Sequence, residues 1–542
     1  MDDAVRLQCS NTPEDTFQRA DKEANQILYK VDDQLPCVFS FLNALQILLS
    51  HVLQILWLPL LLSPALCLLP ADPAKVVLVS TAFLTSGVVT TLQSFLGVRL
   101  PTVTTPSPLY MASFVSLLHT THQCPSDGDL YAMGPTLRSL EWQTRLRELQ
   151  GALLFAGVLQ TIIGLSGLQA RLCRVLSPVA VAPAVVLAGL TMVQDSLTQL
   201  AEHCALTAGI AVSVILFALC LRFVRLPLPT FSIDRGLTSK QFPVFQMFPV
   251  LWTCVAVFLT YEVVAMFHTT TFYPDTQVIS FVEANDNSNW FSFALPFEWG
   301  LPTLSVATAV HVLPAVLLQS LLSLFMFYAS ANTCGARPPP QAAVRRGLAV
   351  EGLGLMFGSV WGHGVTTSPA NIGLMSLTGV ASRSSTQLAA LMMIFLSHFT
   401  RLTSIIAKVP VSFLYALHLC LLAGLVSVGI SILKFINFSS RRDVTIVGFS
   451  LFLGLIVPQW VSKPDTGLLV LDNFISQFLT SSVFVGALSG CLLDLLIPGR
   501  VSNKKTHPWK FQTEEDKKIF RLPTWEEFIC SALERSPFFS TD

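Results

Sequence analysis

The chain has 542 residues, of which 52% are hydrophobic and 12% charged, and its mean hydropathy is +0.61; a soluble protein carries about 25% charged residues. Lys+Arg and Asp+Glu are equal at 33 each, so neither a nucleic-acid partner nor an acidic, solvating chain is indicated. The composition is that of a membrane protein, whose charges inform by where they sit.

In chain order, residues 1–37 are polar and lack a basic stretch followed by a short apolar one, so no cleavable signal peptide is expected. Apolar segments of about 17–25 residues, long enough to cross ~30 Å of hydrocarbon, then recur. They lie near 38–62, 76–97, 152–170, 175–195, 206–224, 247–267, 303–329, 386–408, 411–435, 443–461 and 470–497. Three weaker segments, 106–118, 347–361 and 364–381, are short or interrupted by Gly and Pro. The expected fold class is an all-α polytopic membrane protein of about fourteen spans in a seven-plus-seven arrangement.

Lys and Arg place both termini in the cytoplasm, with Arg171, Arg174, Arg222, Arg225, Arg345, Arg346, Arg441 and Arg442 in inner loops. The exception is 119–151, where LRSLEWQTRLREL reads as an amphipathic helix on the outer surface. The sequon at Asn437 falls in an inner loop and is expected to stay unmodified. The twelve cysteines are scattered, most of them within apolar runs, and form no CxxC pair, so a disulfide framework or metal site is not expected. Cys124 sits where an outer cysteine could be oxidised, but no partner is evident.

The third span begins Thr104-Thr105-Pro106-Ser107-Pro108 and the tenth Thr366-Thr367-Ser368-Pro369-Ala370-Asn371, at corresponding positions of the two halves. Ser or Thr caps a helix start, Pro fits its first turn, and the unpaired N–H groups carry partial positive charge. Two such starts meeting near the midplane make a polar pocket, the signature of inverted repeats with half-helices in spans 3 and 10.

At these residues the sequence resembles the nucleobase–ascorbate transporter family, of the solute carrier family 23 type, as a divergent animal member. The carrying stretches are ANIGLMSLTGVASR with Asn371, Gly373, Thr378 and Arg383, Leu45-Gln46, TLQSFLGVRLP at 91–101, RELQGA at 147–152, EWGLPT at 298–303, GARPPP at 335–340, Glu351-Gly352, VGFS at 447–450 and IPG at 497–499. The resemblance implies a core bundle of spans 1–4 and 8–11 (residues 38–171 and 301–409) that holds substrate. It further implies a gate bundle of spans 5–7 and 12–14 (172–300 and 410–498) that forms a homodimer, with cytoplasmic tails at 1–37 and 499–542. The core would move as an elevator. Substrates of the family are nucleobases or ascorbate, coupled to Na+ or H+.

Against that pattern, the span 8 positions of the family's acidic residues fall on Leu322 and Met326, the position before Asn371 is Ala370, and the His after the span 1 Gln is Ile47. Losing a carboxylate removes charge-assisted bonds of about 1.5–3 kcal/mol each, so the substrate is expected to be held by neutral groups. The candidates are Ser107 and Tyr110 in span 3, Ser323 in span 8, and Thr367, Ser368, Ala370 and Asn371 in span 10. Glu351 is read as an interhelical hydrogen bond, with a helix end or a cation as alternatives, and His363 as a residue of an outer vestibule. The glycines of 352–358 read as close helix packing, not a phosphate loop.

The reading is a plasma-membrane secondary transporter of a neutral purine base such as hypoxanthine, with Na+ as coupling ion, the lipid bilayer around it and no cofactor or enzymatic motif. Ascorbate is the alternative within the family, disfavoured because an anion would find only helix ends. A non-transporting scaffold is the alternative from another class, suggested by Leu322 and Met326.

Overall fold

A computed structural model describes residues 27–69, 72, 74–121, 124–125, 132, 134–169, 176–194, 204–232, 236–267, 290–291, 295–406, 409, 411–436, 438–461, 469–498 and 518–522. The first half runs α1 (Cys37–Ala65), α2 (Ala74–Phe95), β1 (Thr104–Pro106), α3 (Pro108–Thr121), α4 (Pro135–Ser166), α5 (Pro178–Gln194), α6 (Cys204–Ile215), the hairpin β2 (Leu226–Ser232) and β3 (Gly236–Phe242), α7 (Val244–Met247) and α8 (Pro249–Phe267). The second runs α9 (Val306–Thr333), α10 (Gln341–Ser359), β4 (Val365–Thr367), α11 (Pro369–Thr378), α12 (Arg383–Ser397), α13 (Thr400–Ile406), α14 (Val411–Ile432), α15 (Arg441–Trp460), α16 (Leu469–Thr480) and α17 (Ser482–Leu496). Among the described residues six helices are long and apolar enough to cross a membrane, or up to eight if each bent pair is one span, with four shorter apolar helices besides.

The two broken segments are helix starts, not kinks in continuous helices. β1 and β4 pair antiparallel, Thr104 with Thr367, Thr105 with Thr366 and Pro106 with Val365. Ser107 N donates to the Gly364 carbonyl at 2.7 Å and Ser368 N to Val103 at 2.8 Å, extending the ladder at both ends. Each strand then enters a helix through proline, at Pro108 and Pro369, where a missing N–H costs nothing. The two helix N-termini are thereby brought to one crossing at which buried backbone polar groups are satisfied.

Close approach organises the packing. α4 lies along α10, α12 along α2, and α14 along both α5 and α11. A Cβ on Gly352 would meet Thr161 N at 2.5 Å, and one on Gly354 would meet Val89 at 2.4 Å, so the 352–358 run does serve close helix packing.

Four expectations need correction. The stretch LRSLEWQTRLREL is no separate surface helix: it is the first part of the 32-residue α4, and its Arg145 is buried, donating to the Ala65 carbonyl and to Glu141. Cys124 has a partner after all, Cys67, which closes a disulfide across a sequence separation of 57. The span placed at 386–408 bends by 109° between α12 and α13, and that at 470–497 by 78° between α16 and α17. Finally, the polar tails, whose charged runs read as solvated segments, are packed in part against the helices. Leu28 N donates to Gly379, Ala381 N to Tyr29 and Arg383 N to Val31, while Phe520 is 2% exposed. Asp32 and Ile519, one described residue from each tail, meet at Arg383, which pairs with Asp32 at 3.0 Å and donates to the carbonyls of Arg99 and Ile519. Asn437 lies outside the described residues.

Candidate functional site

A cavity of about 640 Å³ sits at the strand crossing. Its floor is Thr105–Pro108 and Thr366, Thr367 and Pro369; α1 adds Gln54 and Trp57, α9 adds Gln319 and Leu322, and α14 adds His418. It extends along α3 to Ser116 and past Gln459 and Gln477 of α15 and α16. None of the described lining residues is Asp, Glu, Lys or Arg.

Two carboxamides organise the floor. Gln54 Oε1 accepts from Ser368 Oγ at 2.6 Å and Thr105 Oγ1 at 3.1 Å, one hydroxyl from each broken segment. Gln319 Oε1 accepts from Ser107 Oγ at 2.8 Å, and its Nε2 lies 3.4 Å from Ser323 Oγ. Ser323 in turn donates to Glu351 Oε1 at 2.8 Å, which also accepts Thr367 N at 2.7 Å. Glu351 therefore does make the interhelical hydrogen bond expected of it, and it also pairs a strand N–H beside the α11 start. Its Oε2 is buried with no hydrogen-bond partner among the described residues.

Of the predicted site residues, Ser107, Thr367 and Leu322 line the cavity. Ser323, Ser368 and Asn371 are buried and do not line it: the first two support the carboxamide and carboxylate bonds, and Asn371 donates to the Pro101 carbonyl at 2.6 Å. Ala370 is fully buried. Tyr110 packs against the backbone at Gly364, and its hydroxyl is buried without a partner among the described residues. Met326 does not face the cavity; it is enclosed with Phe325 and Phe327 in the apolar core. Ile47 is buried, and its carbonyl accepts from Ser50 at 2.7 Å and lies 2.6 Å from His51 Nδ1, so an imidazole stands one turn past the position where one was missed. His363 is not in a vestibule: it is buried, with Nε2 2.7 Å from Thr81 Oγ1.

Gln54, Gln319 and His418 were not singled out. Gln54 is eight residues past Gln46, two turns along the same helix face, and Gln319 one turn before Leu322. A count of polar as well as ionisable residues within spans would have found all three.

A profile described as Permease family matches residues 40–463. Solute carrier family 23 member 2 of Mus musculus is 30% identical over 504 residues, covering 90% of this chain and 77% of that protein. Solute carrier family 23 member 1 of Mus musculus is 30% identical over 535 residues, with 95% and 87% covered. Nucleobase-ascorbate transporter 1 of Arabidopsis thaliana is 28% identical over 527 residues, with 93% and 96% covered.

Proposed function

Since the chain belongs to the permease family that includes the nucleobase–ascorbate transporters, we propose that it is a secondary active transporter importing a neutral purine base such as hypoxanthine. The observation that carries the substrate class is the cavity lining, which offers Gln54, Ser107, Gln319 and Thr367 and no carboxylate or cationic chain among the described residues. Carboxamides and hydroxyls present both donors and acceptors, matching a planar ring that alternates carbonyl and N–H on its edge. A charged ligand would be desolvated here with only two helix N-termini as partners.

In this proposal the strand-crossing floor of the cavity belongs to a core bundle, residues 38–171 and 301–409, which travels as an elevator against a gate bundle, 172–300 and 410–498, that supplies the facing wall. Seven-plus-seven spans, cytoplasmic termini and a plasma-membrane address complete it. The apolar face of α15, with Phe449, Phe452 and Trp460 exposed, would meet lipid or a second copy in a homodimer. Na+ is the proposed coupling ion. Glu351 fits a cation: one oxygen is fixed by Ser323 and Thr367 N, and the other is buried and unpartnered among the described residues.

Ascorbate is the second reading, favoured by the two convergent helix starts. Uptake of labelled hypoxanthine, uracil and ascorbate, with and without Na+, in cells with verified surface delivery separates them. Ascorbate uptake alone sinks the nucleobase reading, and no uptake of any solute returns the chain to a scaffold.

A further inference from the structure

His418, on α14, stands apart from the polar groups the sequence pattern brought forward. It is 2% exposed, yet it is among the residues that line the cavity. Neither Nδ1 nor Nε2 has a hydrogen-bond partner among the described residues. Leaving a buried polar group unpaired is costly unless something else satisfies it. On the floor the hydroxyl hydrogens are already donated, from Thr105 and Ser368 to Gln54 and from Ser107 to Gln319, which leaves oxygen lone pairs there, whereas both imidazole nitrogens are uncommitted. His418 is also the sole titratable side chain among the described lining residues.

We propose that His418 is a specificity-determining residue, which hydrogen-bonds the edge of the transported ring from the α14 side while the strand crossing holds the opposite edge. This rests on the transport reading above and deepens it. A neutral imidazole offers one N–H donor and one bare acceptor, so a single ring nitrogen can meet either a carbonyl or a ring N–H of the substrate. An imidazolium would be a buried charge with no carboxylate in the lining, which the site does not compensate. The partner class is therefore a neutral heterocycle with adjoining carbonyl and N–H groups, not an anion. In the proposed elevator, α14 lies in the gate bundle. The bond must then break as the core travels, so His418 acts on substrate recognition in the state in which core and gate enclose the cavity.

The test uses the full chain. His418→Phe fills the space without a polar atom, His418→Gln places an amide near Nε2, and His418→Asn places one near Nδ1. Uptake of labelled hypoxanthine, uracil and ascorbate is measured against surface-biotinylated protein, together with the thermal shift each solute gives the purified protein. His418→Phe is expected to raise the KM for the preferred base by about tenfold, the loss of one buried hydrogen bond. One of the two amide variants is expected to stay within about threefold of wild type, the other aligning with the nitrogen that makes no ligand contact. An unchanged KM in His418→Phe overturns the assignment and leaves the transport reading intact. Equal loss in all three variants, with the solute-induced thermal shift retained, assigns His418 to packing and also overturns it. A wild-type chain with neither uptake nor thermal shift overturns the transport reading and this inference with it.

Discussion

The contact between α11 and α14 gives a graded perturbation. Gly373 of α11 and Gly424 of α14 lie against one another: a Cβ on Gly373 would fall 1.8 Å from the Leu421 carbonyl oxygen, 2.7 Å from its carbon and 3.0 Å from Leu425 N. A Cβ on Gly424 would fall 2.6 Å from the Gly373 oxygen and 3.0 Å from its Cα. All these atoms are backbone and cannot rotate away. For Gly373→Ala the helices must part by about 1.2 Å merely to reach 3.0 Å, for Gly424→Ala by about 0.4 Å, and overpacking of this kind costs about 1–3 kcal/mol. α11 begins at Pro369 on the cavity floor, so the displacement is carried straight into the site, where about 1 Å of misplacement costs on the order of a hundredfold in function. Gly448 of α15 has open space around it and is the neutral control. Uptake per surface copy is expected to fall in the order Gly448→Ala, Gly424→Ala, Gly373→Ala, with the last at least about tenfold below wild type. Equal uptake in all three at equal surface level would refute the close approach of α11 and α14 or its bearing on transport.

Other outcomes follow from single bonds. Glu351→Ala orphans Thr367 N and should destabilise the protein by about 1–3 kcal/mol, read as a lower melting temperature in detergent; Glu351→Gln keeps an acceptor, so the fold should persist while any Na+ dependence of uptake disappears. Arg383→Ala removes the donor to the Arg99 and Ile519 carbonyls as well as the Asp32 pair. Its cost should be about 1 kcal/mol for each half-buried carbonyl that loses this donor, whereas Asp32→Ala, losing an exposed partner, should cost under about 1 kcal/mol; comparative melting of the two variants checks this. Cys67→Ser opens the loop to Cys124 and should lower stability by about 2–4 kcal/mol, with one newly alkylatable thiol detected by mass shift without reductant. Phe520→Ala vacates a buried site and should cost about 3–5 kcal/mol if its pocket does not collapse. Proteolysis of the 499–542 tail, faster than in wild type, would report its release.

The parts of the fold legible in the sequence are those that water and lipid dictate directly. Apolar runs near 20 residues gave most helices, and Ser, Thr and Pro at 104–108 and 366–371 gave both half-helix starts, because a chain at membrane depth must satisfy its backbone. What escaped depends on long-range contact. No Gly or Pro stands between Ser397 and Thr400, so hydropathy runs through the bend between α12 and α13. Cys67 ends an apolar run and reads as a buried thiol until α3 and the following loop carry Cys124 beside it. Phe520 lies in a polar tail, and only the fold supplies the pocket between α10 and α12 ends that takes it, with Arg346 donating to its carbonyl at 2.6 Å.

The departures at the site also change weight once the helix faces are known. Among the positions that lack the family's polar anchor, Met326 sits in the core among Phe325 and Phe327 and Ala370 is enclosed, so a polar group at either would not reach the cavity in this chain. Leu322 alone stands on the wall. One turn before it, Gln319 occupies the neighbouring stretch of α9 and is already held by Ser107. An acid there would accept two ring N–H groups, each bond to a charged group worth about 1.5–3 kcal/mol; a carboxamide gives one acceptor and one donor at about 0.5–1.5 kcal/mol. On the proposed reading, the exchange would cost affinity and shift recognition from a ring edge rich in N–H to one that pairs N–H with carbonyl. Weak binding at neutral groups is compatible with transport, since a carrier must also release what it holds; on the proposed reading each remaining polar contact, with the one proposed for His418, would carry a larger share of the selection between one ring and another.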